Sequence, residues 1–363
     1  MAIVGSVRAR TTALAIAAPF IAAVSISGQE AFELIELSEG VYVAIVQPQP
    51  PMYVFSNALV IVGDRAVTVV DTHQSPSAAR VLLDHIREIS DLPVSHVLNT
   101  HWHGDHVYGN QSYQEAFPDV VFVGHSSMRE DVRIKTASAA AKEIGDLPGS
   151  IDQREAWVAS GRGPQGEELS AEQITGLRRS ARLRREYLAE LRNLRLVPPS
   201  LTFDRELALH QGDRTIQVLH FGPAHTRGDA VLYLPDDKIL AVGDLLEDGF
   251  PWVDENSFPV GWAGVLRSLS ELDVEIIVPA HGPVLRDTLL LDRQAAFFRE
   301  VARGVRAAVE GGLSLEETQS DIAVDRIPRF FDAADSSAEA RFADYVERVV
   351  ARAYAELTED PIG

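Results

Sequence analysis

Thr100-His101-Trp102-His103-Gly104-Asp105-His106 places three histidines and a carboxylate within six residues, directly after the apolar run Val94–Leu98. Chance would supply H-x-H-x-D-H in a chain of this length roughly once in 1,000. His101 and His103 stand two apart on extended backbone, so their imidazoles point to one side and can chelate one cation. Asp105 and His106 leave the following turn and can face a second cation a few ångströms away. The stretch reads as half of a metal site.

The other half can be read further along the chain. His225 lies in Gly222-Pro223-Ala224-His225-Thr226-Arg227-Gly228-Asp229, straight after a strand-like run ending at Phe221. Asp244 follows the run Ile239–Val242, and His281 follows Glu275–Val278 in Pro279-Ala280-His281-Gly282. Each is a ligand-type residue at the carboxyl end of a strand, with glycine nearby to let backbone approach closely. Composition agrees with this donor set. The chain has 363 residues, eleven histidines and no cysteine, which removes disulfides, thiolate nucleophiles, cysteine-ligated zinc and iron–sulfur clusters. Lys+Arg 33 against Asp+Glu 53 gives a net charge of −20, which argues against nucleic acid or anionic lipid as a partner.

Around these motifs the chain reads as α/β. Strand-like runs at Val41–Val46, Val54–Val62, Ala66–Val70, Val94–Leu98 and Val120–Gly124 enclose a helical stretch from Pro76 to Ile89. Strand patterns resume at Glu206–His210, Thr215–Phe221, Ala230–Leu234, Ile239–Val242 and Glu275–Val278, with a helix near Ala263–Leu272. Residues 29–125 and 200–288 therefore form one domain, interrupted by a helical insert at 126–199. The insert carries the spacers GDLPGS and SGRGPQGEE and a helix announced by the capping box at Ser170–Gln173. That helix region holds Arg178, Arg179, Arg182, Arg184, Arg185, Arg192 and Arg195, which read either as a lid or subunit contact or as a solvated face paired with nearby acids. Residues 289–363 form a helical C-terminal extension. Its stripe of Phe298, Val301, Ala302, Val305 and Val309 reads as core or as a homodimer contact. At the N-terminus, Arg8 and Arg10 precede the apolar run Ala13–Ile26, with Ser25 and Ser27 spaced like a cleavage site. Residues 1–28 read as a signal peptide, and the mature protein as periplasmic or secreted without stable membrane association.

The metal-site segments resemble those of the metallo-β-lactamase superfamily, in which H-x-H-x-D-H is followed by a lone His, a strand-end Asp or Cys, and a final His. The resemblance covers about 40–125 and 200–285. It implies an αββα sandwich with two metals at one edge, most simply two Zn2+, with iron or manganese as alternatives. Carried over, His101, His103 and His225 hold the first metal, Asp105, His106 and His281 the second, and Asp244 bridges both. Asp71, at the end of the run Ala66–Val70, matches the superfamily's buried Asp that supports the site by hydrogen bonds.

Two such cations bring the pKa of a bridging water toward 7, and the resulting hydroxide attacks a carbonyl polarised by one metal. Asp105 orients the water or relays its proton as the catalytic carboxylate. No side-chain nucleophile is needed, in keeping with the missing cysteine and the absence of a G-x-S-x-G elbow. The expected activity is hydrolysis of a small ester, lactone, thioester or amide. Asp244 excludes the cysteine-ligand lactamases and leaves the other lactamase subclass open. The alternative in another class is a mononuclear-iron, persulfide-dioxygenase-like oxygenase, against which the full second ligand set speaks. A small-molecule substrate would be contacted by Trp102, Tyr108 and Trp252, the last in the loop Gly249–Phe258. His73 and His125 read as structural histidines.

Overall fold

A computed structural model describes residues 31–48, 50, 52–331 and 336–359; residues 1–28, expected from the sequence to be a signal peptide, lie outside them. The first seven strands are β1 (Phe32–Ser38), β2 (Val41–Val46), β3 (Ala58–Val62), β4 (Val67–Val70), β5 (Val94–Leu98), β6 (Val121–His125) and β7 (Leu201–Phe203). They form one sheet in sequence order, antiparallel from β1 to β4 and parallel from β4 to β7. The second sheet has the order β12 (Ile276–Pro279), β11 (Ile239–Gly243), β10 (Val231–Leu234), β9 (Arg214–Leu219) and β8 (Glu206–Gln211).

Apolar alternation decides how the two sheets meet. In β2, Val41 and Val43 face β9 and β10 across the sandwich, beside Leu59, Ile61, Ile216, Val218 and Leu232. The opposite face of the first sheet is covered by α1 (Pro76–Ile89), through Ala79, Leu82, Leu83 and Ile86. Ser75 caps that helix by accepting the Ala78 N–H. Two short helices, α2 (Gly104–Val107) and α3 (Asn110–Ala116), follow β5. On the far side, the second sheet packs on α7 (Pro259–Ser270), α8 (Leu289–Glu310) and α10 (Ser336–Thr358), with α9 (Leu315–Asp321) between the last two. The layers are helix, sheet, sheet, helix, an αββα sandwich. Phe298, Val301, Ala302 and Val305 lie in this core, which settles that stripe as packing.

Between β6 and β7 run α4 (Met128–Asp131), a π-helical turn (Val132–Thr136), α5 (Ala137–Ser160) and α6 (Ala171–Leu191). The spacer reading of GDLPGS is corrected here, because those residues are the middle of α5 and Pro148 sits inside the helix. Proline there costs one backbone hydrogen bond, yet Leu147 and Ile151 are buried against Ala181, Leu188 and Leu191. Packing outweighs propensity. The second spacer does break the chain: Gly161 takes the left-handed conformation that ends α5. Arg182, Arg185 and Arg195 pair with Glu186, Glu155 and Glu115 at the surface, as a solvated face would. Among the described residues no helix is long and apolar enough to cross a membrane.

Candidate metal centre

Five strand ends converge at one edge of the sandwich. Asp71 follows β4, His101 to His106 follow β5, His225 lies between β9 and β10, and Asp244 and His281 follow β11 and β12. Gly243 makes the last approach feasible: its φ is +56°, and a Cβ there would lie 2.8 Å from the Thr100 side chain.

The ligand-type side chains fall into two groups, His101, His103, His225 and Asp244 in one, Asp105, His106 and His281 in the other. Asp244 joins them. One carboxylate oxygen lies 3.6 Å from His101 Nε2 and 3.5 Å from His225 Nε2; the other lies 3.3 Å from His106 Nε2 and 3.4 Å from His281 Nε2. Asp105 Oδ2 is 3.3 Å from His106 Nε2 and 3.2 Å from His281 Nε2.

The far sides of three rings are held by oxygen. His106 Nδ1 donates to Asp71 at 2.8 Å and His225 Nδ1 to the Trp252 carbonyl at 3.1 Å, while His101 Nδ1 meets Thr100 Oγ1 at 3.1 Å. Asp71 also accepts the Thr100 N–H and hydroxyl, each at 2.8 Å. The inward atoms His101 Nε2, His106 Nε2 and Asp244 Oδ1 are buried with no hydrogen-bond partner. Buried polar atoms left unpaired are costly, and here they point at one another. That donor set fits divalent cations held by imidazole and carboxylate, with outer partners fixing the rings.

The two groups differ in charge. Burial drives His101 well below its ordinary value, and drives His103 down to about 4, with neighbouring imidazoles adding to the effect. Burial also opposes charge on His106 and His281, but Asp105, Asp244 and, for His106, Asp71 outweigh it. His106 is held well above its usual value and His281 is raised to about 11. For Asp105 and Asp244, burial favours the neutral acid, yet the facing imidazoles dominate and hold both carboxyls well below the ordinary range.

A cavity of about 1020 Å³ opens onto the centre. Trp102 and Trp252 line it. Tyr108 does not, and its expected place there is corrected. It is fully buried behind the loop, and its hydroxyl donates to Glu143 at 3.1 Å. Tyr187 of α6 donates to the other Glu143 oxygen at 2.7 Å, so one α5 carboxylate ties the insert to the metal loop. Replacing Glu143 by alanine strips both buried hydroxyls of their acceptor and is expected to cost about 2–4 kcal/mol of stability, with Glu143→Gln costing less. Urea unfolding measures it, and a loss below about 0.5 kcal/mol would show that water replaces the carboxylate.

Several wall residues were not legible in the sequence. Ile134, Lys135, Ser138 and Lys142 come from the insert, and nothing in EDVRIKTASAAAKE marks them as site-facing. Glu247 lies on the wall as well, its carboxyl pushed up to about 7 by burial and then by Asp244. Residues 54–57, expected within a strand, instead bend over the site. There Ser56 Oγ donates to the Asp105 carbonyl, and Asn57 Nδ2 donates to Pro279 O and Gly282 O at 3.0 and 2.9 Å. His73 is buried, with Nδ1 2.8 Å from Ser56 O and its ring stacked on Phe32; His125 stacks on His220.

Comparison with known proteins now decides the family. The family model described as the metallo-beta-lactamase superfamily matches residues 52–281. The chain belongs to the metallo-beta-lactamase superfamily. Metal-dependent hydrolysis is supported at the level of that superfamily. A linear primary-alkylsulfatase of a Pseudomonas species is 25% identical over 236 residues, 61% of this chain and 40% of that relative. The superfamily member described here thus spans well under half of that relative's length. Among solved structures it is similar to a metallo-beta-lactamase from Pontibacter korlensis, at a TM-score of 0.50 and 19% identity over 74% of this chain and 99% of the other. It is also similar to the stereoselective inverting sec-alkylsulfatase Pisa1 from a Pseudomonas species, at 0.59 and 17% over 90% and 50%. At these identities the likeness is one of fold.

Proposed function

We propose that this protein is a dinuclear zinc hydrolase that cleaves the acyl bond of a small ester, lactone, thioester or amide, β-lactams included. The observation that carries the reading is Asp244, whose two oxygens face the two ligand groups at 3.3–3.6 Å. His101, His103 and His225 would hold one ion, Asp105, His106 and His281 the other, with Asp244 shared. When bound, such a pair makes a neutral-pH nucleophile of water and polarises the electrophile. The chain's own residues do the rest. Asp105 lies within reach of His106 and His281 and can hold the proton that leaves the attacking water and passes to the departing oxygen, sulfur or nitrogen. Asp71 fixes His106, and the Trp252 carbonyl fixes His225. Trp102 and Trp252 wall the cavity and exclude water from one side of the bound group.

Sulfate-ester hydrolysis is a second reading, supported by the alkylsulfatase relative. A panel of β-lactams, lactones, thioesters, aryl esters and an alkyl sulfate, run with zinc and with a chelator, separates the two. Failure of every substrate, with iron in place of zinc and oxygen uptake, would favour an oxygenase instead. Residues 1–28, read as a cleaved signal, extend the proposal to export; the mass of the protein recovered from the periplasm and medium tests that part.

Metal loading should depend on pH unequally at the two groups. His101 and His103 are already neutral, whereas His106 and His281 carry protons that a cation must displace. Raised values mean protonated rings at neutral pH, so acid competes hardest at the Asp105 group. We expect about two zinc ions per chain above about pH 7.5 and about one below about pH 6. Elemental analysis after dialysis at each pH reads this directly. Equal loss of both ions would show that the groups are not distinct in charge.

A further inference from the structure

Phe55, Ile134 and Trp252 are 62%, 61% and 62% exposed, which makes them three of the seven large exposed hydrophobic side chains among the described residues. All three line the cavity that opens on the metal centre. They come from separate places: the bend before β3, the π-helical turn of the insert, and the loop after β11. Single exposed apolar residues are ordinary on a protein surface. Three large ones gathered from distant segments at one opening are not, since leaving such surface wet has a cost and marks a binding face.

The rim is also continuous with the chemistry. The Phe55 ring lies 5.2 Å from the His281 ring, and Trp252 accepts from His225 through its carbonyl. A substrate whose scissile bond sits between the two ligand groups would pass directly from the metals onto these rings. The cavity behind them exceeds what a short acyl group fills, at about 1020 Å³. Each rim element is anchored rather than free. Thr136 of the π-helical turn donates to the Trp102 carbonyl at 2.6 Å, and Tyr345 of α10 donates to Pro251 O at 3.0 Å, next to Trp252.

We infer that the rim Phe55–Ile134–Trp252 takes the alkyl or acyl chain of a monomeric amphiphilic substrate, so that the enzyme selects for a long apolar chain attached to the hydrolysed group. This deepens the hydrolase reading and rests on it. Two measurements keep the failures of the two apart. In the first, n-alkanoates from four to twelve carbons are titrated by calorimetry into the metal-free full-length protein, below their aggregation concentrations. Affinity is expected to rise about two- to fourfold per methylene until the chain clears the rim. In the second, p-nitrophenyl esters of the same chain lengths are hydrolysed by the zinc-loaded enzyme, and kcat/KM should rise in parallel. Phe55→Ser, Ile134→Ser and Trp252→Ser, singly and together, should flatten both series. Leu289→Ser, at another exposed leucine away from the cavity, should leave both slopes unchanged.

Chain-length-independent binding and turnover in an active enzyme would overturn the inference and leave the hydrolase reading intact. Steep chain-dependent binding without any zinc-dependent hydrolysis would overturn the hydrolase reading and support the rim. A gain that appears only above the aggregation concentration, or equal losses in Leu289→Ser, would also overturn the inference, because either shows attraction to apolar surface in general.

Discussion

Replacing Asp244 by asparagine is expected to reduce bound zinc from two ions to one at most and to lower turnover by about 10³-fold or more, above the 10–100-fold typical of outer partners. The substitution keeps size and shape, so the effect isolates charge and lone pairs. Each carboxylate oxygen faces two imidazole nitrogens, and the residue is only 5% exposed. An amide replaces one of those oxygens by N–H donors, which present hydrogen where a cation needs a lone pair. It also removes a negative charge that helps hold His106 and His281 protonated in the metal-free protein. Those rings can give up their protons, so the variant should remain folded near pH 8, as its circular dichroism would show. Elemental analysis and steady-state kinetics on the same preparation provide the test. A variant that retains two ions and turnover within tenfold of the parent would refute the bridging role.

The contrast between what the sequence announced and what it hid has a physical basis. His101 to His106 are contiguous, so the chelating geometry is local and can be read from spacing alone. His225, Asp244 and His281 are far apart in sequence, but each follows an apolar run that can only be a strand, and strand ends gather at one edge of a sandwich. Those seven side chains do meet in space. Tyr108 stands beside the ligands in sequence, but the first turn of helix after Gly104 rotates its ring inward toward Glu143 and away from the cavity. Glu143 itself gave no signal, since its partners lie 35 and 44 residues away. α5 was hidden by Gly145, Pro148 and Gly149, which read locally as a break and are overridden by burial of Leu147 and Ile151. The missed strands β1 and β7 are the two edges of the first sheet. One carries the exposed Glu33 and Glu36 and the other has three residues, the polar and short character that edges require.

The last expectation concerns Asp71, where stability and positioning can be separated. Its carboxylate is almost fully buried and accepts three hydrogen bonds of 2.8 Å, from the Thr100 amide, the Thr100 hydroxyl and His106 Nδ1. Its backbone sits at φ +60°, a conformation that aspartate and asparagine tolerate and alanine does not. Asp71→Ala therefore strands the Thr100 N–H and the His106 N–H without acceptors and adds backbone strain, at a combined cost of about 3–5 kcal/mol. Asp71→Asn keeps the backbone preference and one acceptor oxygen, so it should cost only about 1–2 kcal/mol. Its second oxygen becomes a donor, however, and the bond that orients His106 is weakened. Zinc affinity at the Asp105 group should then fall about 10–100-fold while the protein stays folded. Urea unfolding of the metal-free variants gives the first quantity, and zinc titration against a competing chelator gives the second. If asparagine leaves zinc affinity unchanged, Asp71 acts on the fold alone; if alanine costs less than about 1 kcal/mol, water has taken over the carboxylate's place at Thr100 and His106.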